Sequence, residues 1–238
     1  MRADPIFSKH ETRDAAADYA TKLMLGALEV AIEDRGCASM MVSGGSTPGP
    51  VFDRLCKTPL SWDRVTVGLV DERWVEPSHE ASNERLVRER LLTGLAGAAG
   101  LLPMKTGEEK AAEAVADRAI AYGVHCGSLD LIMLGMGNDG HTASWFPRSR
   151  GLEEAFSHPT NQSVTAIDAT GCDVAGAYTD RLTLTGNAVK AAKCAVLVIF
   201  GDEKRAVYES ALEADKFDMP VRHAIDLLGS KLTIIWAP

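Results

Sequence analysis

The sequence has no apolar run long enough to span a bilayer, and its first twenty residues are charged and polar, without an apolar leader segment. It also lacks an excess of basic residues, since 25 Lys and Arg stand against 33 Asp and Glu and the formal net charge is −8. A broad nucleic-acid binder needs a basic surface to neutralise phosphates. We therefore expect a cytoplasmic protein with no membrane and no nucleic-acid partner. A small anionic ligand is compatible with this charge, because a few arginines in one cleft can bind a phosphate.

Cysteine is scarce as well: there are five, an odd number, and no C-x-x-C pair. We expect buried free thiols in a reducing compartment rather than a disulfide framework. No second His or Cys stands at ligand spacing near His141, so no metal site is expected. The 238 residues, 46% of them hydrophobic, suffice for a core without cross-links. Because no repeat, low-complexity tract or linker is visible, residues 1–238 are expected to form a single domain.

Segments with helical periodicity alternate with short apolar or β-branched segments almost throughout the chain. The predicted strands are CASMMVSGG at 37–45, then 64–70, 129–135, 163–168, 181–185, 191–201 and 231–238. The predicted helices are 12–34, ended by Gly36, then 50–57, 83–92 with Ser82 or Asn83 as its cap, 108–125, 203–214 and 220–229. This alternation predicts an α/β fold, a doubly wound, mostly parallel sheet with helices on both faces.

Gly135, Gly137 and Gly140 form a G-x-G-x-x-G pattern at the end of the strand predicted for 129–135. A dinucleotide-binding fingerprint has this spacing, but it stands in the first βαβ unit with an acidic residue about 20 positions later. Here the pattern lies mid-chain, no acid ends a strand near position 160, and Pro147 interrupts the helix that should follow. A nucleotide cofactor is therefore not expected.

Three polar clusters each follow an apolar strand directly: SGGSTP at 43–48, DERWVEPSHEASNER at 71–85 and GMGNDGHTASWFP at 135–147. In doubly wound sheets, ligands bind beyond the carboxyl ends of the strands. We therefore expect the three clusters to contribute to one site.

The first cluster has the features of an anion site. Gly44 and Gly45 let a ligand approach the backbone, and Ser46 and Thr47 place hydroxyl groups at a helix start. Free N–H groups and the helix dipole favour an anion there. A tight turn with an ordinary helix cap is the alternative. The segment is not a P-loop, because the G-x-x-x-x-G-K-[ST] pattern is absent.

The second and third clusters contain the titratable candidates. Asp71 and Arg73 should point to the same side of a strand end, with a surface ion pair as the alternative. His141 follows Asp-Gly at the mouth of a strand, where a histidine can act as a general base near neutral pH. Asp139 would orient its ring and stabilise the protonated form. A histidine with a purely structural role is the alternative.

Two cationic residues follow or begin later strands. Arg181 opens RLTLT, and Lys204 follows the strand end VIFG. Both would reach the same rim and clamp a phosphate, Arg with two parallel hydrogen bonds and Lys as a point charge. A solvated surface charge is the alternative for each. Arg148 and Arg150 are looser candidates of the same kind.

Taken together, SGGSTP, VDERWV…SNERLVRERLL, LGMGNDGHTASWFP, DRLTLT and FGDEK resemble the motifs of the 6-phosphogluconolactonase family, in the family's order and over nearly the whole chain. The resemblance implies a fold like that of glucosamine-6-phosphate deaminases and ribose-5-phosphate isomerases. It also implies hydrolysis of 6-phospho-D-glucono-1,5-lactone to 6-phospho-D-gluconate, in the oxidative pentose phosphate pathway, with no cofactor and no metal. A monomer or small homo-oligomer is expected.

The resemblance also implies roles for individual residues. His141 would be the base that activates water, with Asp71 and Arg73 beside it in the active site. Arg181 and Lys204 would hold the substrate phosphate. The residues implied to line the cleft are Gly44, Gly45, Ser46, Thr47, Gly137, Asn138, Asp139 and Gly140. Because no G-x-S-x-G nucleophile elbow is present, direct attack by water is expected rather than an acyl-enzyme.

Two alternative functions stay open. An amino-sugar phosphate deaminase or aldose–ketose isomerase on the same fold would use Asp71 as a base for proton transfer between carbons. That group tends to have an aromatic residue where this chain has Arg73, and an Asn-Glu pair where it has Trp145-Phe146. A non-catalytic sugar-phosphate sensor is the second alternative. Such regulators usually add a DNA-binding domain, and no helix-turn-helix segment or basic extension is visible.

Overall fold

The structure, a computed structural model, describes residues 4–238, which contain ten strands and eight α-helices. The strands are β1 (Ile6–Lys9), β2 (Ala38–Val42), β3 (Val65–Leu69), β4 (Asp71–Arg73), β5 (Gly100–Leu102), β6 (Leu131–Leu134), β7 (Val164–Asp168), β8 (Asp180–Leu184), β9 (Cys194–Phe200) and β10 (Leu232–Ala237). The helices are α1 (Arg13–Arg35), α2 (Gly49–Leu55), α3 (Asn83–Arg90), α4 (Ala111–Cys126), α5 (Leu152–Phe156), α6 (Gly186–Ala191), α7 (Asp202–Ala211) and α8 (Val221–Leu228).

Seven strands form a parallel sheet in the order β1-β10-β9-β6-β2-β3-β5. Every residue of β2, β6 and β10 is buried. Strands that are covered on both faces have continuous apolar sequences, and the sequences of these three strands are almost entirely apolar. The predicted doubly wound α/β fold is confirmed.

A second sheet holds β4, β8 and β7 in antiparallel pairs. The strands predicted at 163–168 and 181–185 exist, but they lie in this sheet and do not extend the parallel one. Val70 makes the transition between the sheets. Its N–H donates to a carbonyl of β2, and its own carbonyl accepts from the N–H of Leu184 in β8. The chain therefore passes from one sheet to the other within one residue, directly before Asp71.

Helix boundaries follow the side-chain signals in the sequence. Gly36 ends α1 in the left-handed conformation with φ of 78°, and the Ser82 hydroxyl accepts the backbone N–H of Arg85 at the start of α3. Both boundary predictions are confirmed. Between β6 and Leu152 the described chain forms turns and no α-helix, so the helix that a dinucleotide fingerprint requires does not follow Gly140.

Asp71–Arg73 was expected as the end of the strand at 64–70 and forms the separate strand β4, and four elements were not expected at all: β1, β5, α5 and α6. All four are short, with three to six residues each. β1 pairs with β10 at the edge of the main sheet, and three of its four residues are exposed. A half-solvated edge strand lacks the buried apolar run by which the central strands were predicted.

The five cysteines are free thiols. Cys56 and Cys126 are buried as expected, but Cys172 and Cys194 are half-buried and Cys37 is exposed, because it lies between α1 and β2. The expectation of buried thiols is therefore wrong for Cys37. Within residues 4–238, no helix is long and apolar enough to cross a membrane. The same range contains no group of three His, Cys, Asp or Glu side chains arranged to hold a metal ion.

Candidate active site

A cleft of about 280 Å³ opens where the loops after β2 and β6 meet β4 and the start of β8. Ten of the thirteen residues predicted for the site line it, namely Gly44, Gly45, Ser46, Thr47, Asp71, Arg73, Gly137, His141, Arg181 and Lys204. Seven further residues line it that were not individually assigned to the site: Ser43, Asn83, Gly135, Met136, Ala143 and Phe146, which belong to the three polar clusters, and Val174, which does not. The three polar clusters therefore meet, as their positions after apolar strands predict.

His141 lies in the loop after β6, with its ring tilted against that of Phe146 at a centroid distance of 4.7 Å. Its Nδ1 is 2.6 Å from Oδ1 of Asp139, and its backbone N–H donates to the same oxygen. Burial opposes ionisation of Asp139, but the hydrogen bond from His141 and the charge of that ring hold the pKa of Asp139 below its usual value. An ionised Asp139 keeps the ring proton on Nδ1, which leaves Nε2 as the basic nitrogen.

Gly137 leaves room for this pair. A Cβ at that position would lie 2.1 Å from Nδ1 of His141 and 2.4 Å from Oδ1 of Asp139. The loop closes through a hydrogen bond of 2.8 Å from the N–H of Gly137 to the carbonyl of His141. The second glycine of the G-x-G-x-x-G pattern is thus explained by the histidine and aspartate that pack over it.

Asn138 and Gly140 belong to the same loop but do not line the cleft. The Asn138 amide donates to Oε1 of Glu203 over 2.7 Å. Gly140 has φ of 77°, in the left-handed region that favours glycine, and lies against Met219. Asn138 and Gly140 therefore contact residues on the side of the loop away from the cleft. Asp139 does not line the cleft either, but it contacts His141, which does.

Alternation along β4 places Asp71 and Arg73 on the cleft side and Glu72 on the other, as an extended backbone predicts. Oδ2 of Asp71 accepts a hydrogen bond of 2.6 Å from the Ser144 hydroxyl and lies 4.0 Å from Nη1 of Arg181. The ionic partner of Asp71 is thus Arg181, across the second sheet. Asp71 has only 6% of its surface exposed.

Not all N–H donors of the Arg73 guanidinium have an acceptor in the described chain. Its Nη1 donates to the carbonyl of Ala81 over 2.6 Å, and its Nε is buried without a hydrogen-bond partner in the described chain. A buried donor without a partner costs about 1–3 kcal/mol unless a ligand or water satisfies it. An acceptor atom that reached this Nε would remove that cost.

Glu72 fastens β4 to the start of α3. Its carboxylate accepts hydrogen bonds from the backbone N–H groups of Arg73, Asn83 and Glu84 and from the hydroxyl of Ser82. Burial raises the pKa of Glu72 to about 7, against these four hydrogen bonds, each of which lowers it. The first N–H groups of α3, which have no partner within the helix, are satisfied in this way.

Asn83, which belongs to the second polar cluster and is named above only as a candidate helix cap, connects that cluster to the first one. Its Nδ2 donates to the carbonyl of Asp71 over 2.8 Å, and a Cβ on Gly44 would lie 1.9 Å from its Oδ1. In sequence it stands directly after Ser82, where an Asn is typical of an ordinary helix start. Among residues 4–238, no hydrogen bond uses the backbone N–H groups of 44–47, which leaves them for a ligand.

Arg181 is buried at the opposite wall of the cleft. It donates to the carbonyls of Tyr178 and Ala175, and its guanidinium lies 5.3 Å from the centroid of the Phe146 ring. Burial lowers the pKa of Arg181 to about 10, although the charge of Asp71 acts in the other direction. The side chain therefore keeps its positive charge at neutral pH.

Lys204 reaches the cleft from the first turn of α7. Its Nζ donates to the carbonyl of Met136 over 2.6 Å. Burial lowers the pKa of Lys204, and nearby carboxylates oppose the shift. The looser candidates Arg148 and Arg150 do not line the cleft, and each is paired with an aspartate outside it.

Comparison with known proteins shows the family. The family described as glucosamine-6-phosphate isomerases/6-phosphogluconolactonase matches residues 11–235. A 6-phosphogluconolactonase of Xylella fastidiosa (strain Temecula1) is 39% identical over 221 residues, which cover 92% of this chain and 91% of that protein. A 6-phosphogluconolactonase of Rhizobium meliloti (strain 1021) is 42% identical over 213 residues, 89% of either chain.

Solved structures agree with this match. The crystal structure of a 6-phosphogluconolactonase from Shewanella baltica OS155 superposes with a TM-score of 0.92 and 34% identity and covers 100% of both chains. A monomeric glucosamine-6-phosphate deaminase superposes with a TM-score of 0.77 at 15% identity, which shows a common fold. By its sequence over residues 11–235 and by its fold, the chain belongs to the family of glucosamine-6-phosphate isomerases and 6-phosphogluconolactonases.

Proposed function

We propose that this chain is a 6-phosphogluconolactonase, which hydrolyses 6-phospho-D-glucono-1,5-lactone to 6-phospho-D-gluconate as a single domain. The observation that carries the proposal is the His141–Asp139 pair in a cleft shared with Arg73, Arg181 and Lys204. A δ-lactone is an activated ester, so its hydrolysis needs a positioned water, a base and stabilisation of charge. Relatives at 39% and 42% identity bear the name of this enzyme.

His141 supplies the base. Its Nε2 takes a proton from water while the water oxygen attacks the carbonyl carbon of the ring, and Asp139 stabilises the imidazolium that forms. The tetrahedral intermediate then breaks the bond between that carbon and the ring oxygen. The imidazolium returns its proton to the departing oxygen, and the open-chain acid ionises. A positioned base of this kind contributes about 10²–10⁴-fold to the rate.

The positive charges hold the phosphate. Arg181 and Lys204 supply charge from two walls of the cleft, and the unused N–H groups of 44–47 add donors that suit an anion. The phosphate is remote from the reacting carbon, so its binding energy contributes orientation rather than chemistry. Arg73, which lines the cleft and makes a single side-chain hydrogen bond, is the donor that we assign to the oxyanion.

The isomerase and deaminase reactions of the same fold need a base that removes a proton from carbon, and Asp71 is the candidate. Its carboxylate is nearly inaccessible, hydrogen-bonded to Ser144 and paired with Arg181. Both contacts hold Oδ2 against the protein, so the carboxylate is poorly placed to take a proton from a carbon atom in the cleft. We therefore favour lactone hydrolysis over the deaminase and isomerase reactions.

The test is hydrolysis of freshly generated 6-phosphogluconolactone, followed as acid release, by the wild type, His141→Ala and a control, His125→Ala on α4. We expect fast turnover by the wild type and the control. The His141 variant should hydrolyse near the spontaneous rate while still binding 6-phosphogluconate in calorimetry. Equal rates for all three would make His141 structural. Ammonia release from glucosamine 6-phosphate, without lactone hydrolysis, would establish the deaminase instead.

A further inference from the structure

Two arginines of the cleft are held by backbone carbonyls in separate loops. Nη1 of Arg73 donates to the carbonyl of Ala81, in the loop between β4 and α3. Nε of Arg181 donates to the carbonyl of Tyr178, in the loop between β7 and β8. The positions of the two guanidinium groups therefore depend on the two loops.

His79 joins these loops through both of its ring nitrogens. The backbone N–H of Ala81 donates to Nδ1 over 3.0 Å, and Nε2 lies 3.2 Å from the Tyr178 hydroxyl. The His79 and Tyr178 rings meet edge to face, 5.0 Å apart. Because a backbone N–H can only donate, Nδ1 carries no proton, and the ring proton belongs on Nε2, where it faces the hydroxyl.

We propose that His79 is a positioning residue for the reaction, which sets Arg73 through Ala81 and Arg181 through Tyr178. The inference rests on the proposed function, since it assigns the two arginines to the reacting carbonyl and to the phosphate. His79 itself does not line the cleft. It acts only through the two loops that it joins.

The two connections differ in strength. Among the described residues, the contact with Ala81 is the single hydrogen bond of the Arg73 guanidinium. Arg181 has further contacts with the carbonyl of Ala175 and with Asp71. Displacement of the first loop therefore frees Arg73 altogether, whereas displacement of the second only loosens Arg181.

The fold of the first loop does not require the imidazole ring. The turn is closed by backbone hydrogen bonds from His79 to Glu76 and from Ser82 to His79. The start of α3 is capped by Ser82 and Glu72. Substitution of the ring should therefore leave the protein folded and change only the positions of Ala81 and Tyr178 and of the two arginines that their carbonyls hold.

Three substitutions separate the two connections. His79→Asn keeps an acceptor near the position of Nδ1 but is too short to reach Tyr178. His79→Gln reaches towards Tyr178 but has no acceptor where Nδ1 was. Tyr178→Phe removes only the hydroxyl. His125→Ala is the control for loss of a histidine away from the cleft.

In steady-state hydrolysis of 6-phosphogluconolactone, we expect one group of variants to change kcat and the other to change KM. His79→Gln should lower kcat roughly two- to tenfold with little change in KM, because it releases Arg73. His79→Asn and Tyr178→Phe should each raise KM roughly two- to tenfold and keep kcat within about twofold, because they loosen Arg181. The double variant His79→Asn, Tyr178→Phe should have the same KM as either single variant, because both substitutions remove the same contact, the one between His79 and Tyr178.

Hydrogen exchange of the Ala81 amide provides a second readout. It should speed up in His79→Gln and stay slow in His79→Asn. The inference is overturned if His79→Gln keeps the wild-type kcat, if both other variants keep the wild-type KM, or if all losses follow a lowered melting temperature. A wild type that does not hydrolyse the lactone would overturn the proposed function. Amide exchange and 6-phosphogluconate titration would then still test the two connections.

Discussion

Replacement of Gly137 by alanine tests whether this glycine keeps the His141–Asp139 pair in place. The added Cβ would lie 2.1 Å from Nδ1 of His141, and real Cβ contacts essentially never fall under 3.0 Å. The ring or the loop must therefore move by about 1 Å. Retreat of the loop is opposed by the hydrogen bond from the Gly137 N–H to the carbonyl of His141. A misplacement of about 1 Å at a reacting group can lower turnover about 10²-fold.

We expect kcat to fall about 10²-fold, which is a smaller loss than complete removal of the base would cause. Gly135→Ala is the matched control, because it lies in the same loop and its added Cβ would meet only Ser43, at an ordinary 3.8 Å. Neither glycine has φ in the left-handed region, so alanine adds no backbone strain at either position.

The assay is acid release from freshly generated 6-phosphogluconolactone, with 6-phosphogluconate binding by calorimetry and melting temperatures from circular dichroism. Gly137→Ala should bind the product, melt close to the wild type and turn over slowly. A kcat within twofold of the wild type would refute the reasoning. An equal loss in Gly135→Ala would show that the loop tolerates no added methyl group, irrespective of His141.

Three further predictions follow from the same contacts. Asp139→Asn should lower kcat by about 10² or more, because it removes the charge that stabilises the His141 imidazolium; product binding should persist, and its loss in calorimetry would contradict the assignment. Lys204→Met should raise KM for the phosphorylated lactone about tenfold while hydrolysis of unphosphorylated glucono-1,5-lactone is unchanged; equal losses on both substrates would argue against a phosphate contact. The raised pKa of Glu72, about 7 against an ordinary 4.5, means that the folded protein holds this proton more tightly than the unfolded chain. The contribution of this proton to the free energy of unfolding is therefore fully present below about pH 4.5. It is lost as pH rises to about 7, which lowers the free energy of unfolding by at most about 3 kcal/mol. Urea titrations of the wild type and Glu72→Gln should diverge over that range, and parallel curves would contradict the shift.

Much of the site is predictable from sequence because its signals are local. Apolar strands that end in glycines and charges indicate where ligands bind in a parallel sheet. The period of two along an extended backbone predicts that Asp71 and Arg73 share a side. The two-residue separation of Asp139 and His141 makes their contact a matter of one tight turn. Each of these inferences needs only a few consecutive residues.

The second sheet and the long-range contacts are not predictable in this way. β8 alternates polar Arg181 and Thr183 with apolar Leu182 and Leu184, a period typical of antiparallel strands rather than of the central parallel ones. That pattern indicates a different sheet, but it does not name the partner strand. The contact of His79 with Tyr178 joins residues 99 positions apart, and no local pattern predicts it.

The transition at Val70 also has a consequence for biosynthesis. β2 and β3 can pair as soon as both have left the ribosome, but β4 must wait for β8, whose Thr183 pairs with Asp71 from roughly 110 residues further along the chain. At about 5–20 residues per second, this delay lasts on the order of 5–20 seconds. The cleft is thus completed late, after most of the chain has emerged. Until then a nascent chain carries Asp71 and Arg73 without the wall that Arg181 provides.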